Sequence, residues 1–251
     1  MRYFTLVLLV LITTALTAQV RYGTIDYVSS SESKEMDEMA EEDLALGKAM
    51  KEMAASGAFT TNWTATFGPG GFTFRQQVKP MTQKEIDLGG GSVMMVQTGG
   101  EEPELYHTDT EAKKLTNTRN IFDRKFLVTG DAAPVAWTMT GRTIPPSEET
   151  IGLELKEATG VNAAGDTMTA GYAPALPVQV GPRNIYGLPG AIITLKIDRG
   201  QSVTTYRATA MSVSPTELEL IVPDEGKAIG AAKFAKEKAK RDKMIRRQYR
   251  N

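Results

Sequence analysis

Ile193-Thr194-Leu195-Lys196-Ile197-Asp198-Arg199-Gly200, with its return run Val203-Thr204-Thr205-Tyr206-Arg207-Ala208-Thr209, carries the plainest structural signal in the chain. Ile193, Leu195 and Ile197 alternate with Thr194 and Lys196. A period of two places alternate side chains on opposite faces of a strand, so the stretch predicts a hairpin with one face packed and one face wet. Asp198-Arg199-Gly200 supplies residues that turn the chain cheaply.

The same punctuation extends upstream. Short runs rich in Thr, Val, Ile, Phe and Tyr alternate with Gly, Pro and Asp clusters, and predict strands over 20–28, 59–67, 72–78, 92–97, 126–129, 135–140, 150–159 and 167–172. Consecutive short strands joined by tight turns argue for antiparallel neighbours. No βαβ alternation and no internal repeat interrupts them. The expected fold is therefore mainly β: a curved antiparallel sheet, shaped as a bowl or half-barrel.

Two helices flank it. Met36, Met39, Leu46, Met50 and Met53 recur at helical spacing among acids, predicting an acidic helix over 32–55 that stops at Gly57. Ser29, Ser30 and Ser31 read as the break before it. Residues 224–251 predict a basic helix with a thin apolar stripe, in which Phe234 and Met244 are the few large apolar residues.

The N-terminus reads as an export signal. Arg2 precedes an apolar run, and Thr17-Ala18 offers small residues for cleavage, so residues 1–18 are expected to be a signal peptide and the mature chain to begin at or near Gln19. The run is shorter than the roughly 20 residues of a membrane-spanning helix, and no later stretch is apolar enough to span. The expected organisation is a signal at 1–18, a β domain at 19–223 that includes the acidic helix, and the basic helix at 224–251.

Composition excludes several classes. The 251 residues carry a formal net charge of −1, which gives no electrostatic footprint for nucleic acid. Cys is 0, which removes disulfides, thiolate metal sites and cysteine nucleophiles.

Gly187-Leu188-Pro189-Gly190-Ala191-Ile192 is a signature with wider support. Upstream stand Phe126-Leu127-Val128, Trp137, Ile151-Gly152, Ala158-Thr159, Ala170-Gly171-Tyr172-Ala173-Pro174, Pro177, Gly181-Pro182 and Tyr186. Together these resemble the GLPGLI family, exported proteins of Bacteroidota with no established reaction, over roughly residues 106–250. Leu155, Gly171 and Ala191 depart from it, standing where the family usually has Cys, Trp and Leu. The resemblance implies a secreted, periplasmic or envelope-associated protein, and some members occur beside TonB-dependent outer-membrane transporters. Physically the motif reads as architecture: Gly187 and Gly190 permit backbone that side chains forbid, Pro189 fixes φ between them, and Ile192 opens the next strand.

Catalytic, metal and cofactor signals are sparse. His107 is the only histidine, and one imidazole without cysteine makes no usual zinc set. The 12 methionines admit a Cu(I) reading, but Met at helical spacing is chiefly core filler. No nucleophile elbow, Walker loop, HExxH or dinucleotide fingerprint is present. Asp166-Thr167-Met168 fits an O-glycosylation pattern of exported Bacteroidota proteins, which makes Thr167 the candidate acceptor. No catalytic residue, metal site or cofactor is assigned. The expectation is a non-catalytic envelope binding or accessory module whose partner is an envelope protein, peptide or lipid; the alternatives are a hydrolase of envelope or extracellular material and a Met-based Cu(I) protein.

Overall fold

The computed structural model describes residues 21–34, 37–38, 41, 44–89, 91–121 and 124–248. The expected signal at 1–18 lies outside the described residues. The elements are β1 (Tyr22–Ser33), α1 (Leu44–Ala55), β2 (Thr60–Gly68), β3 (Gly71–Gln76), β4 (Thr82–Gly89), β5 (Ser92–Thr98), β6 (Leu105–Asp109), β7 (Lys114–Ile121) and β8 (Arg124–Asp131). After them come β9 (Trp137–Ile144), a 3-10 turn (Glu148–Thr150), β10 (Leu155–Val161), β11 (Thr167–Ala173), β12 (Ala191–Asp198), β13 (Ser202–Ser214), β14 (Lys227–Gly230) and α2 (Ala231–Gln248).

Twelve strands form one curved, unclosed sheet in the order β14-β8-β7-β6-β3-β2-β1-β13-β12-β11-β10-β9, and β4 and β5 pair apart from it as a hairpin. Every pairing in the large sheet is antiparallel except that of β14 with β8. Register shifts at Asp26/Tyr27, Lys156/Ala158 and Gly171/Tyr172 mark bulges. An extra residue on one strand bends it and increases its twist, which accounts for curvature here. The hairpin expected at 193–209 is present as β12 and β13, with Leu195 opposite Tyr206.

Period-two burial runs through β1 and β2: Ile25, Tyr27, Trp63, Ala65 and Phe67 face inward and their neighbours face out. One core cluster extends from Tyr106 across the aromatic group Phe72, Phe74, Tyr27 and Tyr206 to Leu155, Met168 and Ile193. A smaller cluster joins Ile121 and Val128 to Phe234 of α2, whose ring meets Phe126 edge-on at 5.7 Å.

Two expected helix boundaries are corrected, and the strand expected at 150–159 begins only at Leu155, after the 3-10 turn. The acidic helix does not start at Glu32. β1 runs on to Ser33, because the long β13 offers it a partner at every position to Ser202, and Ser31 Oγ lies 3.1 Å from Thr204 Oγ1. The serine run that reads as a break is strand, with the Ser29 and Ser31 hydroxyls hydrogen-bonded. The basic helix does not start at Asp224 either. Lys227–Gly230 is a strand on β8, Gly226 (φ +121°) makes the corner before it, and helix begins at Ala231. Between β13 and β14 the chain crosses the outer face of the sheet, bringing Glu219 and Ile221 beside Thr64, Thr66 and Arg75. No helix among the described residues is long and apolar enough to cross a membrane.

Candidate functional site

Between β11 and β12 the chain leaves the sheet, and residues 174–190 lie across its apolar face as a strap. Leu176, Val180, Tyr186 and Leu188 are buried there and belong to the main core. Polar groups tie the strap and the start of β12 to the rest of the fold. Tyr27 Oη donates to the Ile192 carbonyl (2.7 Å), while Val135 N–H and Trp137 Nε1–H both donate to the Tyr186 carbonyl (3.1 Å each). The Tyr186 hydroxyl donates to the Ala132 carbonyl. Gln179 closes the signature loop, accepting from Gly187 N–H (3.1 Å) and donating to the Leu188 carbonyl (2.9 Å).

Two signature glycines stand where the backbone is tightly constrained. Gly187 has φ +111°, where side chains are rarely tolerated. A Cβ on Gly190 would stand 2.2 Å from the Ala173 carbonyl oxygen. Ala191 and Ile192 begin β12 and are buried, as are Gly181 and Pro182 on the strap; Pro189 is exposed. Tyr172 is buried on β11, with its hydroxyl 3.5 Å from Met139 Sδ. The apolar face of the bowl is thus filled by the protein itself.

The cleft that opens beside it is polar. This cleft of about 1250 Å³ lies between the start of β2, the stems of the β4–β5 hairpin, β7 and α2. Its walls carry the amides of Asn62, Gln76, Gln77, Gln97 and Asn120. Its charged lining comprises Lys79, Arg119, Lys125, Arg183, Lys238 and Arg241 against Glu101, Glu102 and Glu104.

The charged floor is built by three neighbouring elements and the strap. Glu104 and Tyr106 flank the start of β6, and Arg119 reaches over from β7. Arg119 Nε stands 2.9 Å from Glu104 Oε1, and Tyr106 Oη donates to Glu104 Oε2 (2.6 Å). The Arg119 guanidinium lies between two rings, 5.1 Å from Tyr106 and 5.0 Å from Phe234. Burial alone would raise the Glu104 carboxyl, but Arg119, Tyr106 and Arg183 together hold it below its ordinary value. Burial also pushes the Tyr106 phenol well above its usual range.

Arg183 enters from the strap. Its backbone is left-handed (φ +57°), and its guanidinium lies 5.8 Å from the Tyr106 ring and 5.7 Å from the Tyr206 ring. Its Nε is buried with no hydrogen-bond partner. The adjacent Asn184 pins the strap here: its Nδ2 donates to Thr108 Oγ1 (2.8 Å), and its Oδ1 accepts from Asn117 Nδ2 (2.8 Å).

Chemically, the floor is a set of fixed charges. Glu104 is held ionised by guanidiniums and a phenol, which makes it a counter-ion rather than a proton donor. His107 is half-buried on β6, where burial lowers its pKa and Asp109 offsets part of that. Among the described residues no group of three or more His, Asp or Glu has the spacing to hold a metal. Met168 is in the core, Met139 lies on β9 and Met244 on α2, while Met81 and Met95 share the β4–β5 hairpin. Met36 and Met39 lie outside the described residues. Thr167 is exposed at the start of β11.

Of the signature residues, Gly181, Pro182 and Gly187 to Gly190 lie on the strap, Tyr172 lies on β11, and Ala191 and Ile192 open β12. The floor residues Glu104, Arg119 and Arg183 are a different case. Nothing local in the sequence marks them as a group, although Arg183 directly follows Gly181-Pro182 in the run that carries the family resemblance.

No family profile and no curated protein matches the chain by sequence. Among solved structures, it resembles PNGF-II with a TM-score of 0.47 at 11% identity, over 86% of this chain and 32% of that one. It also resembles a β-barrel-like protein of domain of unknown function DUF1849 from Brucella abortus, with a TM-score of 0.40 at 10% identity, over 79% of this chain and 100% of that one. Both are distant likenesses of fold and do not bear on function.

Proposed function

We propose that the chain is an exported, envelope-associated binding or accessory module of the GLPGLI kind, acting by non-catalytic capture in the cleft beside Arg183. The observation that supports this most is the division of labour inside the bowl. The strap occupies the apolar face, and the open volume beside it is walled by amides and charges that can hydrogen-bond a ligand. Pockets that fix a ligand's orientation do so with a few placed polar groups of this kind. A hydrolase needs an available acid or base, and the deep acid in the cleft, Glu104, is already committed to Arg119 and Tyr106. The partner class to test first is an outer-membrane transporter dependent on TonB, because the family resemblance points there.

The test is in-cell photo-crosslinking of the full chain in a Bacteroidota host. A photoreactive residue is placed at Asn62 or Gln97 in the cleft and, as a control, at Arg207 on the outer face of β13. Capture of a defined envelope component from the cleft positions and not from Arg207 is the expected result, with a mature N-terminus near Gln19 in the envelope fraction. Equal capture from all three positions, or mature chain retained in the cytosol, rejects the reading.

A further inference from the structure

The floor of the cleft has an imbalance of charge. Two guanidiniums, Arg119 and Arg183, flank the Tyr106 ring at 5.1 and 5.8 Å, and Glu104 is the carboxylate that faces them. Glu104 is already engaged by Arg119 Nε and the Tyr106 hydroxyl. Arg183 keeps a buried Nε with no acceptor. Buried N–H groups in folded proteins are nearly always paired, so an orphan on a charged group lining a cleft points to an acceptor that arrives from outside.

The surroundings agree. The strap holds Arg183 in a left-handed backbone conformation that costs energy for a residue of its kind, and such strain persists where the fold over-determines it. The Tyr106 and Tyr206 rings fix the guanidinium's position, and an arginine fork matches the two oxygens of a planar or tetrahedral anion. Lys79 donates to the Gly57 carbonyl (2.9 Å), which leaves its charge without neutralisation by that bond. Lys125, by contrast, already pairs with Glu102 (2.9 Å) and Glu225 (3.2 Å).

We infer that Arg183 is the seat of an oxyanion, a carboxylate or phosphate group carried by the ligand, and that the amide-lined walls hold the uncharged remainder of that ligand. This deepens the binding reading above and rests on it.

The experiment follows intrinsic tryptophan fluorescence, Trp63 being part of the cleft lining. The full mature chain is titrated with tripolyphosphate and, separately, with citrate, with ionic strength held constant by sodium chloride. A saturable change is expected. Response to tripolyphosphate alone assigns phosphate, response to citrate alone assigns carboxylate, and response to both supports the shared chemistry. Arg183→Asn, chosen because Asn tolerates left-handed backbone, is expected to weaken binding by about tenfold or more, the loss of one charge-assisted pair. Lys196→Gln, exposed on β12, is expected to leave it unchanged. If Arg183→Asn does not fold, the double variant Lys238→Gln/Arg241→Gln replaces it, and a several-fold loss is expected. No saturable response to either anion, or binding undiminished in the variants, overturns the inference. Cleft crosslinks obtained without any anion response leave the binding reading standing and remove this one; loss of both removes both.

Discussion

Leu188 and Arg183 belong to the same strap, yet the protein treats them in opposite ways. Around Leu188 the strap behaves as core: its apolar side chains are buried, its carbonyls take donors from Trp137 and Gln179, the Ile192 carbonyl just beyond it takes one from Tyr27, and the glycines let backbone approach backbone. Around Arg183 it behaves as a site: the backbone is strained, the guanidinium shares a single carboxylate with Arg119, and one N–H has no partner. The difference teaches where the fold's constraint ends. One end of the strap is specified by volume, the other by charge, and the two should answer to different perturbations.

The volume end gives the largest expected effect. Leu188 is 1% exposed within the main core. Leu188→Ala should lower stability by about 2–5 kcal/mol, because a buried leucine loses its transfer energy and leaves a cavity. The loss should be the same at pH 4 and pH 7 in chemical denaturation, since no titrating group is involved. A loss confined to one pH would show that the two ends are not independent.

The charge end should be pH-dependent. Tyr106→Phe removes the donor to Glu104 Oε2, and hydrogen bonds to charged groups contribute about 1.5–3 kcal/mol. Glu104 has a folded pKa below the ordinary 4.5. Its contribution is therefore fully present above pH 4.5 and lost as pH falls through the folded value. Removing the phenol brings the folded pKa back toward the unfolded one. The difference between wild type and Tyr106→Phe should then be largest near neutral pH and shrink below pH 4.5. Glu104→Gln should abolish that acid limb. A difference that stays constant with pH would place the effect in packing rather than in charge.

The same contrast sets what was legible in the sequence. The β12–β13 hairpin and the 187–192 corner were readable because apolar alternation and glycine–proline chemistry are local signals. β6 and β7 were not, because Thr108, Asn117 and Thr118 occupy buried positions where alternation leads one to look for apolar residues. Thr108 and Asn117 are matched by Asn184, which arrives from far along the chain. β4 was hidden by its charged residues, and β14 by its length of four residues and its dependence on β8. The cleft floor was invisible for the same reason as β7: Glu104, Arg119 and Arg183 meet only through long-range pairing, and no spacing rule connects them.

The smallest effect completes the pair of phenols. Tyr27, like Tyr106, is fully buried and carries a phenol that burial raises well above its usual range, but its hydroxyl donates to a neutral carbonyl, that of Ile192. A neutral hydrogen bond contributes about 0.5–1.5 kcal/mol, and the ring of Tyr27→Phe keeps its edge contact with Phe74 at 5.6 Å. Tyr27→Phe should therefore cost about 1 kcal/mol, less than Tyr106→Phe at pH 7, with no change across the acid range. Below pH 4.5, where the Glu104 contribution fades, the two variants should converge. That convergence requires the Tyr106 hydroxyl to act through a carboxylate and the Tyr27 hydroxyl through backbone alone, and variants that stayed equally far apart at every pH would deny the distinction between the two ends of the strap.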